Sequence, residues 1–496
     1  MSTALDSAHT RPAASPWRET LAIAGPTVAT MTSYTLMTFT DKWLVSMIGP
    51  EPIYVGAQGN GGLAAWVPMS ILHGTLTIIN TFVSQNMGAG RPERGPAYAW
   101  NGLWLGLLFW AVFLFPFSFT LPAIFDAAKM DPAQARLATQ YGQILLWGSF
   151  ITMVTRSMSQ FFYGMHKAKV VMVAGVAANI FNLGISYVLT FGLFGLPKLG
   201  VAGSAIGTVI ATLVEAAIPM GVFLGRAMNT KYRTRAAWRP SLPVVRDIVR
   251  LGWPGGIMFG NEMACWSIFM VYLVSHFGRE HATAGWIAHQ YMSLSFMPAV
   301  GLSVACTALV GKYQGMGRSD LAQHRAFLCL RASVIYMGIC GVLFLVFREE
   351  LIRFFVPGTT DPEAVERLVE IGSGFLMATA AFQLFDAGAM IISGALRGAG
   401  DTVFPGVFTV IASWVLIVGG GFAFVEFAPS LGSLGPWIAA AGYITVLCIA
   451  LLARFLSGRW KSIKVVHDTP SGPGAADRTP TPEPAAAAGA TTDGIV

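Results

Sequence analysis

Twelve mostly apolar stretches, each long enough to cross a lipid bilayer, recur along nearly the whole chain. A span needs about 20 such residues, because a helix rises roughly 1.5 Å per residue and the hydrocarbon layer is roughly 30 Å thick. The stretches lie at 17–48, 57–85, 97–121, 134–163, 168–192, 200–226, 247–275, 282–311, 324–347, 364–394, 402–427 and 432–457. In lipid, every backbone N–H and C=O must be satisfied internally, so the spans are helices or strands of a closed barrel. Barrel strands alternate over about ten residues, and these runs are longer and continuous. Charge agrees: 11% of residues are charged, where a water-facing surface usually requires about 25%. The expected fold is an all-α polytopic membrane protein with twelve transmembrane helices.

Lysine and arginine set the orientation. With the N-terminus placed in the cytoplasm, 23 of the 32 basic residues fall on that side, eight on the other, and Arg156 lies within a span. This asymmetry follows the positive-inside rule, so both termini are expected to be cytoplasmic and the protein to sit in a bacterial inner membrane. The net charge of +7 then reflects topology rather than nucleic-acid binding. Residues 1–16 are polar and the first apolar run is too long for a signal core, so no cleavable signal is expected. The tail, 458–496, is rich in Pro, Ala, Gly and Thr beyond Lys464 and reads as disordered. Five cysteines (Cys265, Cys306, Cys329, Cys340 and Cys448) lie in or beside apolar spans without ligand-like spacing, as packing residues do.

The longest cytoplasmic connection runs from Arg226 to Arg250, halfway along the membrane region, and holds seven basic residues. Three local echoes point to a duplication around it. Gly25-Pro26 precedes Trp253-Pro254 by 228 residues; Met87-Gly88-Ala89-Gly90-Arg91 precedes Gln314-Gly315-Met316-Gly317-Arg318 by 227; and Tyr163-Gly164-Met165 precedes Arg397-Gly398-Ala399 by 234. The expected organisation is therefore a cytoplasmic tail (1–16), a six-helix lobe (17–226), a linker (227–246), a second six-helix lobe (247–457) and the C-terminal tail. Six helices per repeat keep the two halves parallel, related by an axis along the membrane normal, as suits lobes that rock about a shared cavity. Pro26, Pro68, Pro219, Pro254, Pro298 and Pro405 read as helix interruptions that permit bending.

Longer signatures run in order through these spans. They are Thr40-Asp41-Lys42; Ser84-Gln85-Asn86-Met87-Gly88-Ala89-Gly90; the run from Asn182 through Tyr187 and Gly192 to Leu199-Gly200-Val201-Ala202-Gly203-Ser204-Ala205-Ile206-Gly207-Thr208; Gly252-Trp253-Pro254 with Glu262; Ala288-His289-Gln290; Met297-Pro298-Ala299-Val300-Gly301-Leu302-Ser303; Gln383-Leu384-Phe385-Asp386; and Gly394-Ala395-Leu396-Arg397-Gly398-Ala399-Gly400-Asp401-Thr402. In this pattern the chain resembles the multidrug and toxic compound extrusion (MATE) family, its NorM-like branch in particular, over about residues 17 to 457. The resemblance implies two pseudo-symmetric six-helix lobes in a V around a central cavity. It implies a secondary active multidrug efflux transporter that exports organic, lipophilic cations by antiport with Na⁺ or H⁺ through alternating access, and that works as a monomer.

Antiport needs a group that takes up the coupling ion in one state and releases it in another. An intramembrane carboxylate can do this, provided it faces a cavity or a partner. Five carboxylates lie within the spans: Asp41, Glu215, Glu262, Asp386 and Glu426. Glu262 shares a helix face with Met258, Phe259, Cys265, Trp266 and Phe269; rings beside an acid fit a lipophilic cation. Asp386 shares its face with Phe382, Gln383, Ala389 and Met390. The resemblance assigns coupling-ion binding, possible Na⁺ included, to Glu262 and Asp386 in the C-terminal lobe, and to Asp41 in the N-terminal lobe. Two departures weigh against Asp41: its neighbour is Lys42, and Ser186 stands one turn after Asn182 where one branch of the family has an aspartate. The C-terminal pair is therefore favoured. Met258, Phe259, Trp266, Phe382, Gln383 and Asn182 are the substrate-cavity candidates. Glu215 reads as a structural acid awaiting a basic partner, Glu426 as solvated, His289 as a packing residue, and Arg156 as a cation that needs a partner.

No phosphate-binding loop, H-E-x-x-H pair, nucleophile elbow or Cys/His cluster occurs, so neither ATP hydrolysis nor other enzyme chemistry, and no cofactor beyond the coupling ion, is expected. An alternative is a flippase for lipid-linked sugars, which share the two-lobe architecture; cationic groups in its cavity would meet pyrophosphate, whereas here the mid-span charges are mainly acidic.

Overall fold

The computed structural model describes residues 15–49, 53–355 and 362–466. Among them are twelve long helical segments: α1 (Pro16–Ser46), α2 (Ile53–Gly88), α3 (Pro92–Ala127), α4 (Pro132–Gly164), α5 (Ala168–Phe191), α6 (Val201–Leu224), α7 (Leu242–Phe277), α8 (Arg279–Gly315), α9 (Ser319–Val346), α10 (Pro362–Ala399), α11 (Val403–Phe427) and α12 (Leu434–Leu456). Ten are long and apolar enough to cross a membrane. The other two, α1 and α4, run 31 and 33 residues and carry more polar side chains.

Local chemistry sets the helix ends. The Asp131 carboxylate accepts from the Ala133 and Gln134 amides at 3.0 Å and caps α4, satisfying donors that have no partner within the helix. Gly192 ends α5 at φ 72°, where a Cβ would also lie 2.7 Å from the Lys198 amide; only glycine fits that turn without strain. Five of the six prolines lie inside helices as expected. Pro405 does not: it occupies the first turn of α11, where a missing N–H leaves no bond unmade. Three helices also contain π-helical segments, at Trp110–Leu114, Phe269–Val274 and Ser413–Gly419.

The duplication is visible in packing. In the first half α1 packs on α5, α2 on α4, α3 on α4, α4 on α6 and α5 on α6; in the second half the corresponding helices repeat every one of these pairs. The lobes then join reciprocally, α1 against α8 and α2 against α7. We call the face where α1 begins and α12 ends the terminal face, and the opposite one the far face.

Small residues let the backbones touch at this seam. A Cβ on Gly74 would sit 2.4 Å from the Gly255 carbonyl, and one on Gly88 would sit 1.9 Å from the Lys312 carbonyl. Polar contacts reinforce it: Thr81 Oγ1 donates to the Arg397 carbonyl and Gln85 Nε2 to the Gly398 carbonyl, both at 2.9 Å. Glu19 of the first lobe meets Lys312 Nζ at 2.8 Å, the Tyr313 hydroxyl at 2.7 Å and Arg325 Nε at 2.9 Å of the second. All these contacts lie toward the terminal face. The apolar core follows suit: it runs through the first lobe into the terminal half of the second, around Leu309, Ile392 and Phe455. The far half of the second lobe has a separate core around Phe269, Phe375 and Trp437. The halves share one apolar core toward the terminal face, whereas the far half of the second lobe has its own.

The connection between lobes is strapped down rather than loose. Trp100 Nε1 donates to the Thr234 carbonyl (2.8 Å), Trp104 Nε1 to the Trp238 carbonyl (2.7 Å), and the Ser241 amide to Asn101 Oδ1 (2.7 Å). The beginning of the C-terminal tail also departs from the expectation of disorder. Trp460 is fully buried and stacked on Phe455 at 4.9 Å, and Gln314 Nε2 donates to the Lys461 carbonyl at 3.0 Å. A tryptophan and the hydrogen bonds of Gln314 hold 458–466 against the bundle. The rest of the tail, and most of segment 1–16, lie outside the described residues.

Candidate functional site

Each lobe carries one acidic centre, and the two differ in how their oxygens are occupied. In the second lobe, α7 supplies Glu262 and α10 supplies Asp386. The two carboxylates are close enough for the charge of one to act on the other, and both keep part of their surface accessible. Among the described residues neither makes a hydrogen bond or an ion pair. Tyr443 of α12, 6% exposed, lies within electrostatic reach of both acids. Asn261, one residue before Glu262, is turned aside: its Nδ2 donates to Ser413 Oγ (2.8 Å) and its Oδ1 accepts from Trp414 Nε1 (2.7 Å), which fixes the rotation of α7. Trp266 stands edge-on to Phe269 and His289 at 5.3 and 5.8 Å.

The remaining candidates of this lobe scatter. Phe259 faces His73 of α2 at 6.1 Å across the seam. Met258 lines a recess with Arg397. Phe382, 1% exposed, belongs to the far core. Gln383, also 1% exposed, donates from Nε2 to Ser295 Oγ at 2.9 Å, while its Oε1 has no partner.

In the first lobe, Asp41 is 7% exposed and sits inside a polar cluster. Thr208 Oγ1 of α6 lies 3.2 Å from Asp41 Oδ2 as donor, and Asn182 Nδ2 of α5 donates to Thr208 Oγ1 and Ser186 Oγ, each at 3.4 Å. Three buried oxygen acceptors gathered from α1, α2 and α5 have no partner: Asp41 Oδ1, Gln58 Oε1 and Asn182 Oδ1. Tyr141 of α4 completes the wall, near both Asp41 and Gln58. Buried acceptors without donors are uncommon, and a shell of oxygens is what a hard cation or a proton satisfies. Lys42 is exposed, away from this cluster. So the structure brings Asp41 and Asn182 together, brings Glu262 and Asp386 together, and keeps the two centres in separate lobes.

Thr208 lies in a quoted signature and its role was not legible there, because a threonine in a small-residue helix usually bonds its own backbone; this one does that as well, at 3.0 Å to the Ser204 carbonyl. Gln58, Tyr141 and Tyr443 gave no signal beyond being polar groups in apolar helices. Glu215 accepts a hydrogen bond from the Tyr34 hydroxyl; Arg156 acts on it electrostatically without forming an ion pair. Glu426 is exposed at the end of α11, as expected.

A fused, two-lobed helical bundle with an acidic centre in each lobe defines a polytopic transporter rather than an enzyme. The model of the MatE family matches residues 26–188 and again 259–422, one match per lobe, and the chain belongs to that family of multidrug and toxic compound extrusion transporters. It is 29% identical over 443 residues to a "Probable multidrug resistance protein NorM" of Burkholderia pseudomallei, covering 88% of this chain and 92% of that one. A protein of the same description from Thermotoga maritima is 30% identical over 407 residues, covering 81% and 84%. Among solved structures, a MOP superfamily transporter from Pyrococcus furiosus superposes with a TM-score of 0.81 at 19% identity, covering 90% of this chain and 97% of that one. An outward-facing multidrug resistance MATE transporter superposes with a TM-score of 0.80 at 20% identity, covering 90% and 97%.

Proposed function

We propose that this protein exports organic, lipophilic cations in exchange for Na⁺ or H⁺ by alternating access between its two lobes. The observation that carries the reading is the pair Glu262 and Asp386: two neighbouring, partly accessible carboxylates with no hydrogen-bond or ion-pair partner among the described residues, on helices near Trp266. Two bare like charges at membrane depth repel, so they hold a shared proton or a cation between them. A lipophilic cation and the coupling ion satisfy the same oxygens, and competition for them links entry of one to exit of the other. Asp41, with the acceptors of Gln58 and Asn182, is a second coupling-ion site of the first lobe.

The terminal face is the cytoplasmic side of a bacterial inner membrane, because the basic connections lie there. With the shared core on that side, the far halves are the ones that would open outward. The lobes are 17–226 and 247–457, the protein acts as a monomer, and the coupling ion is its only cofactor. Resistance-protein relatives and the absence of any phosphate-binding loop agree with transport driven by an ion gradient.

The test is transport in liposomes. Purified protein faces a fluorescent lipophilic cation under a Na⁺ gradient or a pH gradient imposed separately, in wild type and in Asp386→Asn. Movement driven by one gradient and lost in the variant supports the reading and names the ion. Folded protein that answers neither gradient overturns it in favour of a lipid-linked-sugar flippase.

A further inference from the structure

All seven basic residues between Arg226 and Arg250 are exposed, and among the described residues none of them forms an ion pair. The stretch holds a single acid, Asp247. Six of the seven are arginines, whose planar fork binds a phosphate through two N–H groups where lysine offers a point charge. These charges are displayed on an ordered backbone. Tyr232 is buried, Thr234 Oγ1 donates to the Phe223 carbonyl at 2.6 Å, and the Arg235 amide donates to Asn229 Oδ1 at 3.0 Å. The same backbone is held against lipid depth. Trp100, Asn101 and Trp104, which bind the Thr234 carbonyl, the Ser241 amide and the Trp238 carbonyl, occupy about the first two turns of the apolar run that begins at 97. Trp238, 51% exposed, and Leu242, 84% exposed, therefore stand at the membrane interface, where tryptophan is favoured.

One basic residue is kept at a cost. Arg233 follows the short helix Arg226–Tyr232 in the left-handed conformation, φ 53°, a position that glycine takes without steric penalty and arginine does not. Its amide donates to the Asn229 carbonyl at 2.8 Å, a bond that glycine would make equally well. What arginine adds there is an exposed guanidinium, and a residue held in a strained backbone region points to a use for its side chain.

We propose that the connection between the lobes is a docking surface for anionic phospholipid of the adjoining leaflet. Its arginines take the headgroup phosphates while Trp238 and Leu242 enter the acyl boundary. Seven cations against one acid complement a lipid of net negative charge and gain less from a zwitterionic one. The surface lies outside the cleft and goes beyond the export reading.

The full chain in detergent is titrated with fluorescently labelled phosphatidylglycerol or phosphatidylcholine, and binding is read by anisotropy. Wild type is expected to bind phosphatidylglycerol about tenfold more tightly, or better. Arg233→Gln and Arg239→Gln each lower that affinity about fivefold, the effect of one basic residue at an anionic surface, and change phosphatidylcholine binding by less than about twofold. Arg233→Lys keeps most of the preference. Arg233→Gly separates binding from folding: it loses affinity as Arg233→Gln does, yet its melting temperature without anionic lipid does not fall, because glycine relieves the strain. Equal binding of the two lipids, an unchanged preference in both Gln variants, or a lower melting temperature in Arg233→Gly overturns the proposal. So does displacement of the lipid by inorganic phosphate as readily as by unlabelled phosphatidylglycerol, which would make this a phosphate site instead. No gradient is imposed, so failure here leaves the export reading standing, and failure of driven transport leaves this surface in place.

Discussion

The acidic centres of the two lobes share a chemistry and differ in wiring. Asp41 is nearly buried and tied through Thr208 to Asn182 and Ser186, so its geometry is preset. Glu262 and Asp386 have no hydrogen-bond partner among the described residues and retain accessible surface. They neutralise each other's repulsion only by taking something up. A prewired acid selects a small ligand of fixed coordination, whereas an open pair beside aromatic rings accepts ligands of many shapes. Under the proposed function, the first-lobe acid would serve as an ion site, and the open pair as the place where ion and substrate compete.

Five substitutions break or sharpen this contrast. The largest effect is expected for Asp386→Asn or Glu262→Gln. Either breaks the pair that shares the bound ion, and driven dye efflux falls roughly hundredfold, the scale of a ~3 kcal/mol charge-assisted contact. Retention of more than half the wild-type rate by either variant, with protein correctly inserted, would remove the pair from the mechanism. Next comes Asp41→Asn, which keeps the shape of the cluster but not its charge. Efflux should fall about tenfold, with the ion concentration for half-maximal transport rising and dye affinity unchanged. Equal loss of dye affinity would place Asp41 in the substrate cavity instead.

Thr208→Ala removes one neutral donor to Asp41 and is expected to cost about 1 kcal/mol, seen as a three- to sixfold rise in the half-saturating ion concentration. The least change is expected from Ser186→Ala, within about twofold, because Ser186 reaches the cluster only through a 3.4 Å contact from Asn182. A larger effect at Ser186 than at Thr208 would mean that Asn182, rather than Asp41, organises the first-lobe site.

Much of this molecule was legible in the chain. The twelve spans follow from run length, and their observed ends fall within about six residues of the expected ones. Gly-rich echoes revealed a duplication that the packing repeats helix for helix. Span-embedded carboxylates stand out in the chain, because charge at bilayer depth is costly. Other features were hidden. Pro405 looks like any helix-interrupting proline until the helix start is known two residues before it. Gln383 lies one turn from Asp386 in sequence, yet spends its amide on Ser295 of α8; which neighbour captures an amide depends on helix rotation. The linker, rich in basic residues and proline, gave no hint that Trp100 and Trp104 would bind its carbonyls.

By itself the sequence determined that this chain lives in a bilayer as a duplicated bundle of helices carrying a few intramembrane acids, because those facts depend on run length, periodicity and the local cost of charge. Only the tertiary structure decided which acids lie near one another and which buried oxygens are left without donors among the described residues. These depend on the seam where glycines such as Gly74 and Gly88 let backbones approach to contact. That approach brings together residues hundreds of positions apart, and no local pattern records it.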